Sequence, residues 1–350
     1  MRITNGMIAD NTLRNINKAA NRLAAANEAV SSNQKIQLAS DDPVVASRAI
    51  TYRSYVSQIE QYQENVDAAD GWQTATDDAL SDLSDLITTV KTLTTEAASD
   101  TCSEEDLAAI KSRIETLRDQ AVTLMNSTYA GRYIFGGYST SEAPYEVVST
   151  DIGDTVTFKG DYLSLGSVIS ADVSDADIET FYTNNTGEVY ESTSDQNINY
   201  NIGFNSEVTV NIEGQDVTGT GTDNLFDTFS KLLLALDGET SYKTAALDSS
   251  GNVTVTANSL DLSALIDEFT TDLDRVTVSQ ATLGARMDNV NSVSESLDDA
   301  YTAYSTLMSN NENIDTATAA TELTSAEYTY EAALAVGAKA ISKSLIDFIA

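Results

Sequence analysis

The stretch LRNINKAANRLAAANEAV, Leu13 to Val30, decides how the rest of the chain is read. Leu13, Ile16, Ala20, Leu23, Asn27 and Val30 recur at intervals of 3-4-3-4-3, the a/d seam of a coiled coil. Residues 1–35 are otherwise rich in Ala, Asn and Ser, so a helix here has one narrow apolar edge and little else to bury. A seam needs a facing helix, and the far end of the chain offers one. Leu323, Tyr330, Leu334, Ile341 and Phe348 form a second stripe, and the closing residues KSLIDFIA add Leu345. Chain ends are usually frayed and polar. These two are apolar to the last turn.

Moving inward, the helical pattern continues from both sides. LASDDPVVASRA holds a helix start, with Asp42 as N-cap and Pro43 at the first helical position, where a missing N–H costs nothing. Val45, Ala49, Tyr52, Val56, Ile59 and Val66 keep one face, resumed by Leu80, Leu83, Ile87 and Val90. Unbroken through Gly71, that helix is on the order of 80 Å long. TCSEEDLAAI restarts the pattern, with Ser103 as N-cap and Asp106 where a capping box wants an acid. From the other side, Leu283, Met287, Val290, Ser294, Leu297, Tyr301, Tyr304 and Met308 hold heptad spacing up to the polar interruption NNENIDTA, 310–317.

Between the two arms the periodicity alternates. TVTF (155–158), INYNI (198–202), EVTVNI (207–212) and NVTVTA (252–257) read as short strands, with a hairpin expected around Glu213-Gly214. One helix, 224–238, is expected among them, ending on Gly238. The glycines of YIFGGYS, Gly136 and Gly137, make the turn from the helical frame into this region and begin no phosphate-loop pattern. The fold expected is α+β: a long antiparallel coiled-coil-like bundle built from the N- and C-terminal segments, with an inserted β-rich domain. Its parts are terminal segments 1–35 and 315–350, a helical rod of 36–140 and 263–314, and a β-rich insert of 141–262.

The chain of 350 residues has a formal net charge of -35, unevenly spread. Residues 1–60 balance at +2, 61–270 at -29 and 271–350 at -8. An acidic middle opposes nucleic acid and anionic membrane surfaces, which need basic patches. No stretch approaches the roughly 18 to 20 apolar residues of a membrane span, so no membrane insertion is expected, and MRITNGMIAD lacks the pattern of a cleaved secretory signal. There is no histidine and one cysteine, Cys102, which removes the commonest general base and excludes an internal disulfide or thiolate zinc site. Cys102, followed by acids that would not lower its pKa, reads as a surface residue rather than a nucleophile. Asp82, Asp85, Asp172, Asp175 and Asp177 lack the spacing of a calcium loop and read as solvated. Tyr301, Tyr304, Tyr328 and Tyr330 have no basic neighbours for base stacking and read as helix packing. No catalytic, cofactor-binding or metal residues are singled out.

The two end helices are too thin to make a dry core by themselves, and an isolated pair of this kind is marginal or unfolded. Copies stacked around it would stabilise it at about 25 cal/mol per Å² of apolar area buried. The residues therefore point to a subunit of a ring or polymer, although helical seams more often mark internal cores. Intersubunit contact is favoured at the ends and an internal core for 43–130.

Three stretches carry a family resemblance: residues 1–50, RYIFGGYSTSEAPY, and EYTYEAALAVGAKAISKSLIDFIA. Together the chain resembles the flagellin superfamily and, within it, the hook-associated protein 3 family of hook–filament junction proteins. The combination of Ser40-Asp41-Asp42-Pro43, Ile134-Phe135-Gly136-Gly137 and Ser344-Leu345-Ile346-Asp347-Phe348 is similar to that family rather than to flagellin itself. One departure is Ala39, where the family commonly has proline. The resemblance implies a non-enzymatic structural protein without cofactors, exported to the flagellum without a cleaved signal. It implies as partners further copies of the chain in a ring, the first hook–filament junction protein, flagellin or the filament cap, and an export chaperone at the C-terminal helix. A flagellin filament subunit is the nearest alternative. A surface adhesin or glycan-active protein acting through 141–262 is a distant one.

Overall fold

The computed structural model describes residues 5–36, 38–99, 102–191, 196–248 and 252–349, with side chains for Met7 and, within those ranges, for 9–339. Three helices open the chain: α1 (Asn5–Ser32), α2 (Pro43–Ala97) and α3 (Glu104–Met125). Small strands follow: β1 (Thr128–Tyr129), β2 (Arg132–Tyr133), β3 (Tyr145–Thr150), β4 (Gly153–Phe158), β5 (Asp161–Tyr162) and β6 (Ile169–Ser170). Then come α4 (Asp175–Asn185), β7 (Asn199–Gly203), β8 (Ser206–Thr209), the short α5 (Gly214–Thr218) and α6 (Leu225–Leu236). The chain closes with β9 (Ser241–Leu247), β10 (Val253–Ser259), α7 (Leu262–Glu312) and α8 (Thr316–Ile349). All strand pairings in named sheets are antiparallel, in the orders β1-β2, β3-β4-β5, β10-β9-β6 and β7-β8. The class is α+β, as expected.

Local chemistry explains the helix boundaries. The amides of Val44 and Val45 donate to Asp42 Oδ1 at 3.0 and 3.1 Å, and Pro43 is the first residue of α2. Ser103 and Asp106 form a reciprocal capping box at α3. Asp261 caps α7 through the Ser263 amide, and Asp315 caps α8 through the Ala317 amide and the Thr318 hydroxyl. α2 runs through Gly71 for 55 residues, about 80 Å at 1.5 Å per residue.

The chain divides into two compact units, residues 1–61 with 296–350, and residues 62–295. The second holds the larger core. Leu80, Leu83, Ile87 and Val90 of α2, Ile114 and Met125 of α3, and Phe269, Val276, Leu283 and Val290 of α7 are all buried. Aromatic rings fill the space beside the strands: Tyr145 lies 5.0 Å from Phe158 and 5.5 Å from Phe226, and Phe229 meets Phe269 edge-on at 5.4 Å. A smaller cluster of Ile152, Ile169, Ile178 and Ala245 underlies β9 and β10. Side chains of α7 hold the segment before α6 by its backbone: Arg286 donates to Asn211 O, Ser279 to Asp216 O, and Arg275 to the carbonyls of Thr218 and Asp223.

Two expectations fail here. The hairpin of β7 and β8 turns at Phe204-Asn205, where Asn205 has φ +58°, not at Glu213-Gly214. Gly214 instead opens α5, donates to Phe135 O at 3.0 Å, and lies so close to the Tyr145 ring that a Cβ would collide with it. The glycine serves close approach, which from sequence looks the same as a turn. A second helix, α4, also lies among the strands. Its signal was present: the side chain of Ser174 accepts from the Asp177 amide at 3.2 Å, an N-cap pattern masked by the surrounding acids.

Candidate assembly surface

The first unit pairs α1 with α8. Packing is closest where side chains are smallest: Ala19 and Ala319 are buried, and a Cβ on Gly337 would touch Ile16 and Thr12. Ile16, Leu23, Leu323 and Tyr330 are half-buried. Leu13 and Leu334 remain 51% and 43% exposed, and Val30 is exposed as well. Ile341, Leu345 and Phe348 belong to α8 by backbone, while their side chains lie outside the described residues. Asp42 and Pro43 stand at the start of α2 in this unit.

Gly136 and Gly137 belong to the other unit. They occupy a turn in which the Ser139 amide donates to Gly136 O, and Gly137 has φ +58°. Of the tyrosines assigned to helix packing, Tyr304 stacks tilted on Tyr55 at 5.0 Å and Tyr301 and Tyr330 are half-buried. Tyr328 lies mostly outside the packing of the chain, 70% exposed.

That exposure is part of a pattern. Among the described residues, eleven of the fifteen exposed large apolar side chains lie in this unit: Met7, Leu13, Val30, Leu38, Val44, Ile50, Tyr55, Leu307, Tyr328, Leu334 and Val336. The unit holds about a third of the chain, yet its buried apolar residues are Ala19, Ala46, Ala49, Val56, Ile59, Leu297 and Ala319, four of them alanine. Scattered exposed leucines are ordinary. A unit with more large apolar side chains outside than inside is not, and singles this unit out as the candidate assembly surface. Val336 and Ile50 carry no heptad signal of their own, which is why sequence reasoning passed over them, while Tyr328 was read only as helix packing.

A polar joint ties the two turns of this unit together. Gln34 and Asn313 form an antiparallel bridge, flanked by Lys35 N–H to Glu312 O at 2.7 Å and Ile314 N–H to Asn33 O at 3.2 Å. Lys35 Nζ donates to Asn310 O at 2.6 Å, and Asn311 Nδ2 to Val45 O at 3.0 Å. The Arg53 guanidinium grips Glu312 with two nitrogens, Nε lying 2.9 Å from Oε1. The hydrogen bond and charge of Glu312 raise the Arg53 pKa above its ordinary value.

The second unit buries acids that could suggest chemistry. Asp227 is fully enclosed, and burial pushes its carboxyl up to about 7 although Ser164, Asn224 and Lys231 oppose the shift. Ser164 Oγ lies 2.8 Å from Oδ2 and itself contacts Ser167 Oγ at 2.7 Å. Asp272 is raised to about 6 by burial against the attraction of Arg275, whose Nη1 is 2.8 Å away. Beside Asp227 the free space is about 20 Å³, room for one water and no substrate. These groups cap α6 and brace α7. Among the described residues, no helix is long and apolar enough to cross a membrane, and no cluster of acids and cysteine has metal-ligand geometry.

Comparison with known proteins gives the same direction. Residues 3–140 match the bacterial flagellin N-terminal helical region family. Hook-associated protein 3 of Salmonella typhimurium is 30% identical over 147 residues, 42% of this chain and 46% of that protein. Its counterpart in Escherichia coli K12 is 27% identical over 200 residues, 57% of this chain and 63% of that one. The chain thus spans about half to three-fifths of these curated relatives. Flagellin of Escherichia coli K12 is 23% identical over 274 residues, 76% of this chain and 54% of that protein. A solved structure described as a flagellar hook-associated protein from Vibrio parahaemolyticus shares the fold, with a TM-score of 0.56 at 13% identity over 78% of this chain and all of the other.

Proposed function

We propose that this chain, whose residues 3–140 match the bacterial flagellin N-terminal helical region and which is similar to hook-associated protein 3, is a structural subunit of the bacterial flagellum, joining hook to filament as a ring-like layer. The observation that carries this reading is the inverted first unit, with large apolar side chains outside and alanines inside. Such a unit gains stability when identical neighbours cover it, at about 25 cal/mol per Å² removed from water.

In this reading the terminal segments, 1–35 and 315–350, order fully on assembly. The helices of 43–130 and 265–310 form the wall of the ring, and the acidic insert 141–262 faces outward. Copies of the chain are its first partners. The first junction protein on the hook side, flagellin or the filament cap on the other, and an export chaperone at the end of α8 are the rest. The work is mechanical rather than catalytic, and export proceeds without a cleaved signal.

The test is location and growth. Immunogold should mark the base of the filament, and purified chain added to hooks carrying the first junction protein should stop after one layer. Continuous growth of long filaments from seeds would instead make it a flagellin, the reading favoured by the flagellin relatives. Leu345→Asp or Phe348→Asp should abolish incorporation while the 62–295 unit stays folded. Normal filaments from either variant would overturn the proposal.

A further inference from the structure

The polar joint invites a question about order of events. It is the most densely bonded place in a unit otherwise short of a core, and it joins segments far apart in sequence: Lys35 and Asn310 are 275 residues apart. Bringing such distant segments together carries a large loop-closure entropy. Once they are held, the pairing of α1 with α8 becomes a local event, because the last turn of α1 and the first turn of α8 both adjoin the same anchored point. Glu312 is 8% exposed and α8 starts at Thr316, so the anchor sits against the helix that must close.

We infer that this joint, built from 33–35, 310–314 and the Arg53–Glu312 pair, is a clasp that remains shut in the free chain and from which the α1–α8 pair zips as neighbouring copies cover it. It rests on the reading that the terminal helices gain order on assembly. It assigns Lys35, Arg53 and Glu312 a positioning role: they set which residues of α1 and α8 meet, and touch no partner themselves.

The pair is asymmetric, and that gives the inference a signature. The Arg53 side chain is 57% exposed, the Glu312 side chain 10%. Losing the glutamate charge leaves an arginine that water can still solvate. Losing the arginine strands a buried carboxylate, the more damaging change.

Hydrogen exchange on the full-length, unassembled chain tests this. The amides of Lys35 and Ile314 should be protected, and protection along α1 and α8 should decline with distance from them, toward Asn5 and Ile349. Arg53→Met should speed exchange at Lys35, Ile314 and the adjoining turns by about tenfold or more, the factor that 1.4 kcal/mol commands. Glu312→Gln should do less, the double variant less than Arg53→Met alone, and Arg53→Lys should restore part of the loss. The 62–295 unit should not change in any of them. Unprotected amides at Lys35 and Ile314 in the unaltered chain would overturn the clasp while leaving the junction role standing. Uniform strong protection from 5 to 339 would overturn both the zippering and the ordering on assembly.

Discussion

At the scale of single residues, Asp227 carries the sharpest consequence. Its carboxyl titrates near 3.8 when unfolded and near 7 when folded, because burial disfavours the charge. Between those values the folded chain holds a proton that the unfolded chain has lost. Stability from this group is therefore full below pH 3.8 and disappears as pH rises through 7, a change on the order of a few kcal/mol. Asp227→Asn should stabilise the protein most at pH 8, less at pH 5 and little below pH 3.8, and so flatten the pH dependence. Urea unfolding followed through Trp72, the single tryptophan and a buried one, measures it; an unchanged slope with pH would show that the carboxyl is already solvated. Nothing in the spacing of Asp227 distinguishes it from the many exposed acids of the insert, so its burial was illegible in sequence. Gly337 was equally silent. In sequence it is a weak point in a helix, and in the structure it is the gap that admits Ile16. Gly337→Leu should therefore part the two helices there, read as faster exchange in both.

Whole elements were far more legible, and the reason is redundancy. Helix α3 announces itself by cap, acidic first turn and seam at once, and each agrees with the others. Ser103→Ala should destabilise its start by about 1 kcal/mol, visible as earlier fraying of residues 104–110. The same box makes the Asp106 carboxyl more acidic through the Ser103 side chain and amide. Its contribution is present above the ordinary carboxylate range and fades as pH falls below it. Short strands lack this redundancy. β10 was read from NVTVTA, whereas its partner β9, SYKTAAL, was missed, having one lysine, two alanines and only one branched residue. A strand of seven residues is defined by its neighbour more than by itself.

For the molecule as a whole, assembly sets a test that separates surface from core. Tyr328 is 70% exposed, so Tyr328→Asp should leave the urea midpoint of the free chain nearly unaltered and, in the proposed assembly, still prevent incorporation into a ring. A drop in stability would mean that the side chain packs internally after all. Copies bearing -35 each repel one another, so layers should form more readily as salt rises and the screening length falls below about 8 Å. The class and the coiled-coil arms were open to sequence reasoning because seams repeat over many turns. The surface that other copies would cover was only half open to it. A heptad tells which residues seek burial and is mute on whether the same chain or another provides it.

Since α1 and α8 both lead away from one joint, for 28 and 34 residues, or about 40 and 50 Å, Asn5 and Ile349 both lie at the end of the pair remote from that joint. In the proposed assembly, a purification tag, fluorophore or fusion near Asn5 or Ile349 would crowd the spot where copies converge. An exposed turn such as Gly160 is the place to attach a handle, and if the proposed role holds, an epitope there should report on the finished assembly without hindering its construction.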